Sequence, residues 1–360
     1  MDASSAFLEI VSGRSRDPLS RVLRGVLTCC EPLYGGAIRI RNAAYDSRNL
    51  SVQSADAPVI SIGNLTTGGT GKTPVVAWIV NVLRDLGASP GILSRGYRSL
   101  DGVENDEKLL LDRLCPGVPH IQNRDRVAGS RQAVQDHGCG VLVLDDGFQH
   151  RRLDRQLDIV LIDAVNPWGF GHLLPRGLLR EPPAALHRAD VVLMTRTDQV
   201  NESDASQIEG SIRRHTSATI LRSEFAPTGL INADGVRQPL ELLSQRRGAA
   251  FCGIGNPEGF RRTLAAVAGT ALDSAGSIPL RVFPDHHHYG EADLCGLTEY
   301  ARSSGAEGLL TTAKDLVKIP RSELAGIPLW AVEIELQLAD DARLTDHLQS
   351  LVPGHDRAVA

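Results

Sequence analysis

The chain has 360 residues, 42% hydrophobic and 22% charged, a composition suited to a globular protein of about two domains and unlike that of a disordered or fibrous chain. Its formal net charge of −5 excludes nucleic acid as the expected main partner, which usually needs a concentrated basic face. Six cysteines (Cys29, Cys30, Cys115, Cys139, Cys252 and Cys295) form no C-x-x-C pair, which points to reduced cytosolic thiols and away from structural zinc.

The N-terminus lacks the basic-then-apolar order of a signal peptide. No run of 18 uncharged apolar residues follows, so no membrane span is expected. After Asp17-Pro18, a good helix start, Leu19, Val22, Leu23, Val26, Leu27 and Cys30 fall on one helical face with arginines around it. Such a helix suits a lipid interface or packing on its own domain, and the periodicity fits both. Residues 1–56 are assigned to this N-terminal segment.

From residue 57 onward, short apolar runs at 59–62, 91–96, 141–146, 158–164 and 190–195 read as strands, and Val75, Ile79, Val82, Leu83 and Leu86 as a helix. Continuous rather than alternating runs indicate strands covered on both faces. The expected fold is therefore α/β, a P-loop NTPase-type, mainly parallel sheet with helices on both faces, over 57–220. A second set of strand and helix patterns at 248–260, 279–294, 308–319 and 329–336 predicts a smaller C-terminal α/β domain over 221–360. The final residues, 347–360, carry no readable pattern.

The segment TGGTGKT (67–73) lies between the first strand and the helix. In a P-loop, backbone N–H groups and a helix N-terminus surround phosphate oxygens, a lysine reaches the β/γ-phosphates and a hydroxyl binds magnesium. Gly68, Gly69, Thr70, Gly71, Lys72 and Thr73 meet that need, although the strict pattern wants glycine where Thr66 stands. The strand of VLVLDDGFQH ends in Asp145 and Asp146, either of which is a magnesium candidate beside such a loop. These features leave a GTPase, an ATP-driven chaperone and a small-molecule kinase all open. The segment TRTD (195–198) lacks the Asn and Lys of a guanine reader.

Taken together, GNLTTGGTGKTP (63–74), LSRGY (93–97), NDE (105–107), DDGFQH (145–150), LLPRGLLRE (173–181), FPDHHHY (283–289) and TTAKD (311–315) resemble the tetraacyldisaccharide 4'-kinase family of lipid A biosynthesis, over residues 15–340 and in the family's order. The resemblance implies transfer of the ATP γ-phosphoryl group to the 4'-hydroxyl of a tetraacylated glucosamine disaccharide 1-phosphate, giving lipid IVA. It also implies a peripheral location on the cytoplasmic face of the inner membrane. With a lipid as substrate, residues 18–41 become the expected membrane contact, and a monomer is expected.

The same resemblance places Asp106 and His286 as a base pair for the sugar hydroxyl, with His287 and His288 as competing partners. It sets Lys72 on the transferring phosphate and Thr73, Asp145, Asp146, Glu107 and Gln149 around Mg2+. His150, Arg95, Arg126 and Arg180 fall near substrate or phosphate, with surface salt bridging an equal reading for each arginine. TTAKD reads either as a strand end with a solvated Lys314-Asp315 pair or as a nucleotide or domain contact. A metal-delivering NTPase using His286, His287 and His288 is the runner-up, disfavoured because adjacent histidines rarely point at one ion. A non-enzymatic membrane-surface protein is the third class.

Overall fold

The computed structural model describes residues 3–96, 106–245, 247–269 and 277–352. Tyr97 of LSRGY and Asn105 of NDE lie outside these residues. Two helices come first, α1 (Ala3–Ser12) and α2 (Pro18–Asp46). The α2 helix starts where the Asp17 carboxylate accepts a hydrogen bond from the Ser20 N–H and Pro18 occupies the first turn. Its apolar stripe is uncovered, with Leu19 76%, Leu33 77% and Ile40 74% exposed. Packing on its own domain is thus not what this stripe does. A neighbouring side of the helix, carrying Glu31, Tyr34, Arg41 and Asn42, is the one bonded to the protein body. Among the described residues, no helix is long and apolar enough to cross a membrane.

The first α/β unit runs β1 (Val59–Asn64), α3 (Lys72–Asp85), β2 (Pro90–Ser94), α4 (Asp106–Leu114), β3 (His120–Gln122), α5 (Arg126–His137), β4 (Val141–Asp145), β5 (Leu157–Asp163), β6 (Val191–Thr195) and α6 (Glu202–Arg213). It continues into a 13-residue strand, β7 (Thr219–Ile231). The second unit follows with β8 (Arg237–Gln238), α7 (Leu242–Gln245), β9 (Gly248–Cys252), α8 (Pro257–Ala268), β10 (Leu280–Val282), α9 (Glu291–Ser303), β11 (Gly308–Thr312), α10 (Ala313–Leu316), β12 (Glu323–Leu324), β13 (Ile327–Leu338) and α11 (Asp341–Gln349).

The strands form one continuous sheet in the order β10-β9-β11-β13-β7-β6-β5-β1-β4-β2-β3, with β12 on β13 and β8 on β7. Along this path every pairing is parallel except β13 with β7. Strands β1, β2, β4 and β6 are buried at every position because helices or long loops cover both faces, which is why their sequences do not alternate.

Between the two units the sheet narrows to a ribbon. Residues 219–222 of β7 pair with β6, while residues 223–231 pair with β13. The expected division after residue 220 therefore falls inside one strand. At the end of β13 the chain returns to the first unit, where Leu336 of β13 and Leu344 and Leu348 of α11 join the core formed by β1, β4 and the buried face of α3. The uninterpreted tail thus begins inside a helix whose apolar side closes the first core.

Candidate active site

The loop between β1 and α3 is tied together by Asn64, which is fully buried. Its Nδ2 donates to the Thr66 carbonyl at 2.7 Å and to Thr70 Oγ1 at 3.1 Å, and its Oδ1 accepts from Lys72 Nζ at 3.3 Å. Gly71 caps α3 with φ +86°, and a Cβ there would lie 2.3 Å from the Phe225 ring. Only glycine satisfies both the backbone and the space. Residues Gly68 to Thr73 line a cleft of about 950 Å³ shared with Asp145, Asp146, Glu107, Asp285, His286, Lys314, Arg95 and Arg180. With the free N–H groups of the α3 N-terminus, Lys72 makes this an anion site.

Asp145 ends β4 with its Oδ1 buried and without a hydrogen-bond partner among the described residues. Burial pushes its carboxyl up to about 7 against the opposing pull of Lys72, and the charges of Glu107 and Asp146 add to the rise. Asp146 follows with φ +53°, an uncommon backbone for a non-glycine residue. It meets Lys72 Nζ at 3.5 Å and accepts from Arg180 Nη1 with both oxygens, at 2.9 and 2.8 Å. Burial would raise the Asp146 carboxyl, but Lys72 and Arg180 together hold it below the usual range. Gln149 completes the bracket, accepting from Arg180 at 3.4 Å and donating to the Asn64 carbonyl at 3.1 Å.

An orphaned buried carboxylate oxygen, a second carboxylate beside it, Glu107 and the Thr73 hydroxyl are hard oxygen donors that fit magnesium. Among the described residues no group of three or more His, Cys, Asp or Glu side chains is arranged to hold a metal ion. Magnesium usually takes only one or two carboxylates and completes its shell with water and substrate phosphates.

Asp106 opens α4 and is buried. His286, 180 positions later, has φ +59° and brings Nδ1 to 3.1 and 2.9 Å from the two Asp106 oxygens. His287 instead reaches Asp293 at 3.2 Å and stacks on Phe283, and His288 is exposed. His286 and His287 therefore point to different partners, and among the described residues no shared metal site forms from the three histidines. The hydrogen bond that the His286 ring donates to Asp106 raises the His286 pKa. Burial works to raise Asp106, yet the His286 bond and the charges of Lys314 and Lys318 keep it below the ordinary carboxylate range.

The remaining candidates spread out. Arg95 and Arg180 line the cleft, Arg180 as the clamp on Asp146. Arg126 and His150 are outside its lining. Arg126 is buried and donates to the Asn123 carbonyl at 3.0 Å, while burial and the charges of Arg126 and Arg155 hold His150 down to about 4. Sequence reasoning missed Asn64 and Lys318, and for Lys314 it left a nucleotide or domain contact open without linking it to Asp106. Asn64 stood at a strand end beside a glycine-rich turn, a position whose role was visible in principle. The lysines converge on Asp106 from more than 200 positions away, and TTAKD marked Lys314 without showing that partner.

A family model described as tetraacyldisaccharide-1-P 4'-kinase matches residues 23–353. The chain belongs to this family. Tetraacyldisaccharide 4'-kinase of Syntrophus aciditrophicus is 39% identical over 333 residues, covering 85% of this chain and 87% of that protein. The Geobacter sulfurreducens protein of the same name is 36% identical over 370 residues, covering 98% and 100%. Among solved structures, the "apo" form of LpxK from Aquifex aeolicus in complex with ATP aligns with TM-score 0.72 and 28% identity, over 92% of this chain and 99% of that one. The kinase family thus matches both α/β units and the ribbon between them.

Proposed function

We propose that this chain transfers the γ-phosphoryl group of ATP to the 4'-hydroxyl of tetraacyldisaccharide 1-phosphate, forming lipid IVA. The observation that carries the reading is the Asp106–His286 pair, assembled from both α/β units, with His286 lining the same cleft as Lys72 and Asp146. The loop N–H groups and Lys72 bind the phosphates and stabilise charge on the transferring group. Asp145, Asp146, Thr73 and Glu107 would hold Mg2+, which when bound supplies charge neutralisation at the phosphates, with Gln149 steadying the bracket. The dyad accepts the hydroxyl proton, with the Asp106 carboxylate orienting the imidazole and stabilising it once protonated. Arg95, which lines the cleft, is assigned to the glycolipid side of the site, while Arg126 and His150, outside that lining, are not.

The uncovered stripe of α2, within residues 18–41, supports peripheral attachment to a membrane, which we assign to the cytoplasmic face of the inner membrane. Apolar burial and flanking arginines favour an anionic interface. Residues 57–220 and 221–335 are assigned as the two catalytic domains, with 336–352 completing the first.

The test is transfer of radiolabelled γ-phosphate from ATP to the purified acceptor in mixed micelles with magnesium. Wild type is expected to label the lipid, with Lys72→Ala and His286→Ala each reduced by about 10²-fold or more. Intact ATP hydrolysis with no labelled lipid from folded protein would overturn the assignment of the acceptor.

A further inference from the structure

Lys314 and Asp315 do not form a solvated pair. Asp315 is fully buried, accepting from the Gly253 N–H at 3.0 Å, the Thr312 hydroxyl at 2.7 Å and the Tyr289 hydroxyl at 3.0 Å, with Lys318 Nζ at 2.9 Å. Lys314, in the first turn of α10, lines the cleft. Its Nζ lies 3.1 Å from Asp285 Oδ1, 3.3 Å from His286 Nε2 and 4.0 Å from Asp106 Oδ2.

Among the described residues, four charged side chains stand around the His286 ring and its Asp106 partner. Asp106 on α4 faces Nδ1, Asp285 on the same loop stands 3.9 Å from Nε2, Lys314 on α10 touches Nε2, and Lys318 beyond α10 lies 4.0 Å from Asp106. A ring between two carboxylates would carry a proton on each nitrogen. That imidazolium has no lone pair and cannot serve as a base. The Lys314 ammonium opposes this outcome in two ways, by neutralising Asp285 and by donating to Nε2. Donation to Nε2 also leaves the ring proton on Nδ1, where Asp106 accepts it.

We propose that Lys314 is a positioning residue for the dyad, holding Nε2 of His286 as a bare acceptor turned into the cleft. An arriving sugar hydroxyl then replaces the ammonium at Nε2, while Lys314 stays bonded to Asp285. The charges act in the same sense on the ring's titration, since Lys314 lowers the His286 pKa and both Asp106 and Asp285 raise it. The proposal rests on Asp106 and His286 acting as the base.

The experiment measures kcat/KM against pH, and the Hε1 titration of His286 by NMR, for wild type, Lys314→Met, Asp285→Asn, the double variant and His286→Ala. The His286→Ala variant identifies the resonance. A base works unprotonated, so a raised His286 pKa moves the acid limb to higher pH. Lys314→Met is expected to move the limb and the NMR midpoint up by about one unit, costing roughly tenfold below the limb and little above it. Asp285→Asn should move both down, and the double variant should return close to wild type. A Lys314→Met enzyme that is slower at every pH, with limb and midpoint unmoved, overturns the proposal. A wild-type acid limb surviving in His286→Ala would instead refute the dyad as base, and the NMR midpoints alone would then decide whether Lys314 sets the state of Nε2.

Discussion

Asp145 is held in a place that suits a metal ion better than it suits a carboxylate alone, and Asp145→Asn exposes the cost. Its carboxyl moves from an ordinary 3.8 to about 7 on folding, chiefly through burial. A raised acid binds its proton more tightly in the folded state. Its destabilising effect is therefore absent below pH 3.8, grows as pH rises, and is complete above about 7. At about 1.36 kcal/mol per unit, the full cost is on the order of 4 kcal/mol, of which about 2.7 kcal/mol develops between pH 5 and 7. An asparagine never ionises, but its amide nitrogen would face Lys72 at a constant cost of about 1–3 kcal/mol. That constant cancels when one variant is compared at two pH values. Without magnesium or nucleotide, the stability of Asp145→Asn relative to wild type should thus be greater by about 3 kcal/mol at pH 8 than at pH 5. Urea unfolding in a Trp330→Phe background reads Trp78 and Trp168, both in the first unit. A difference that does not change with pH would refute the account of Asp145 as a buried, unneutralised acid.

Gly71→Ala should raise the KM for ATP at least tenfold and lower stability by about 2–4 kcal/mol, combining positive-φ strain with overlap on Phe225. Phe225→Ala in the same chain should recover part of the stability but not the strain, as thermal melts would show. Arg180→Ala removes the Nη1 bridge across both Asp146 oxygens and should reduce kcat about 10–100-fold, the usual range for a partner that orients a ligating carboxylate. Leu33→Ser with Ile40→Ser removes exposed apolar surface from α2. It should weaken co-sedimentation with anionic vesicles about tenfold or more, with ATP binding unchanged by isothermal titration.

The strands and the phosphate loop were legible because each is a local pattern. A β-branched run, a glycine turn with Lys72-Thr73 and a helical period occupy fewer than thirty consecutive residues. β7 escaped notice because TILRSEFAPTGLI serves two neighbours in turn, so its apolar positions follow neither a buried run nor a single alternation. The α2 stripe could be found by period, but the same period fits packing and lipid contact; only its exposure separates them. Among His286, His287 and His288 the choice turned on a backbone at φ +59° that a sequence does not display. Lys314 looked like half of a local ion pair, and the fold gave its neighbour Asp315 entirely different partners.

The ribbon of β7 and β13 also governs the order in which this protein can be completed during synthesis. The chain leaves the first unit along β7 and returns along β13, so α11, which shares a core with the phosphate-loop helix α3, emerges after the whole second unit. Until Leu344 and Leu348 have left the ribosome, the core they share with α3 keeps an open flank. Translation thus runs through the whole second unit before the nucleotide-binding core can close, and a nascent chain stalled anywhere before α11 presents an unfinished apolar surface to chaperones rather than an early, half-working kinase.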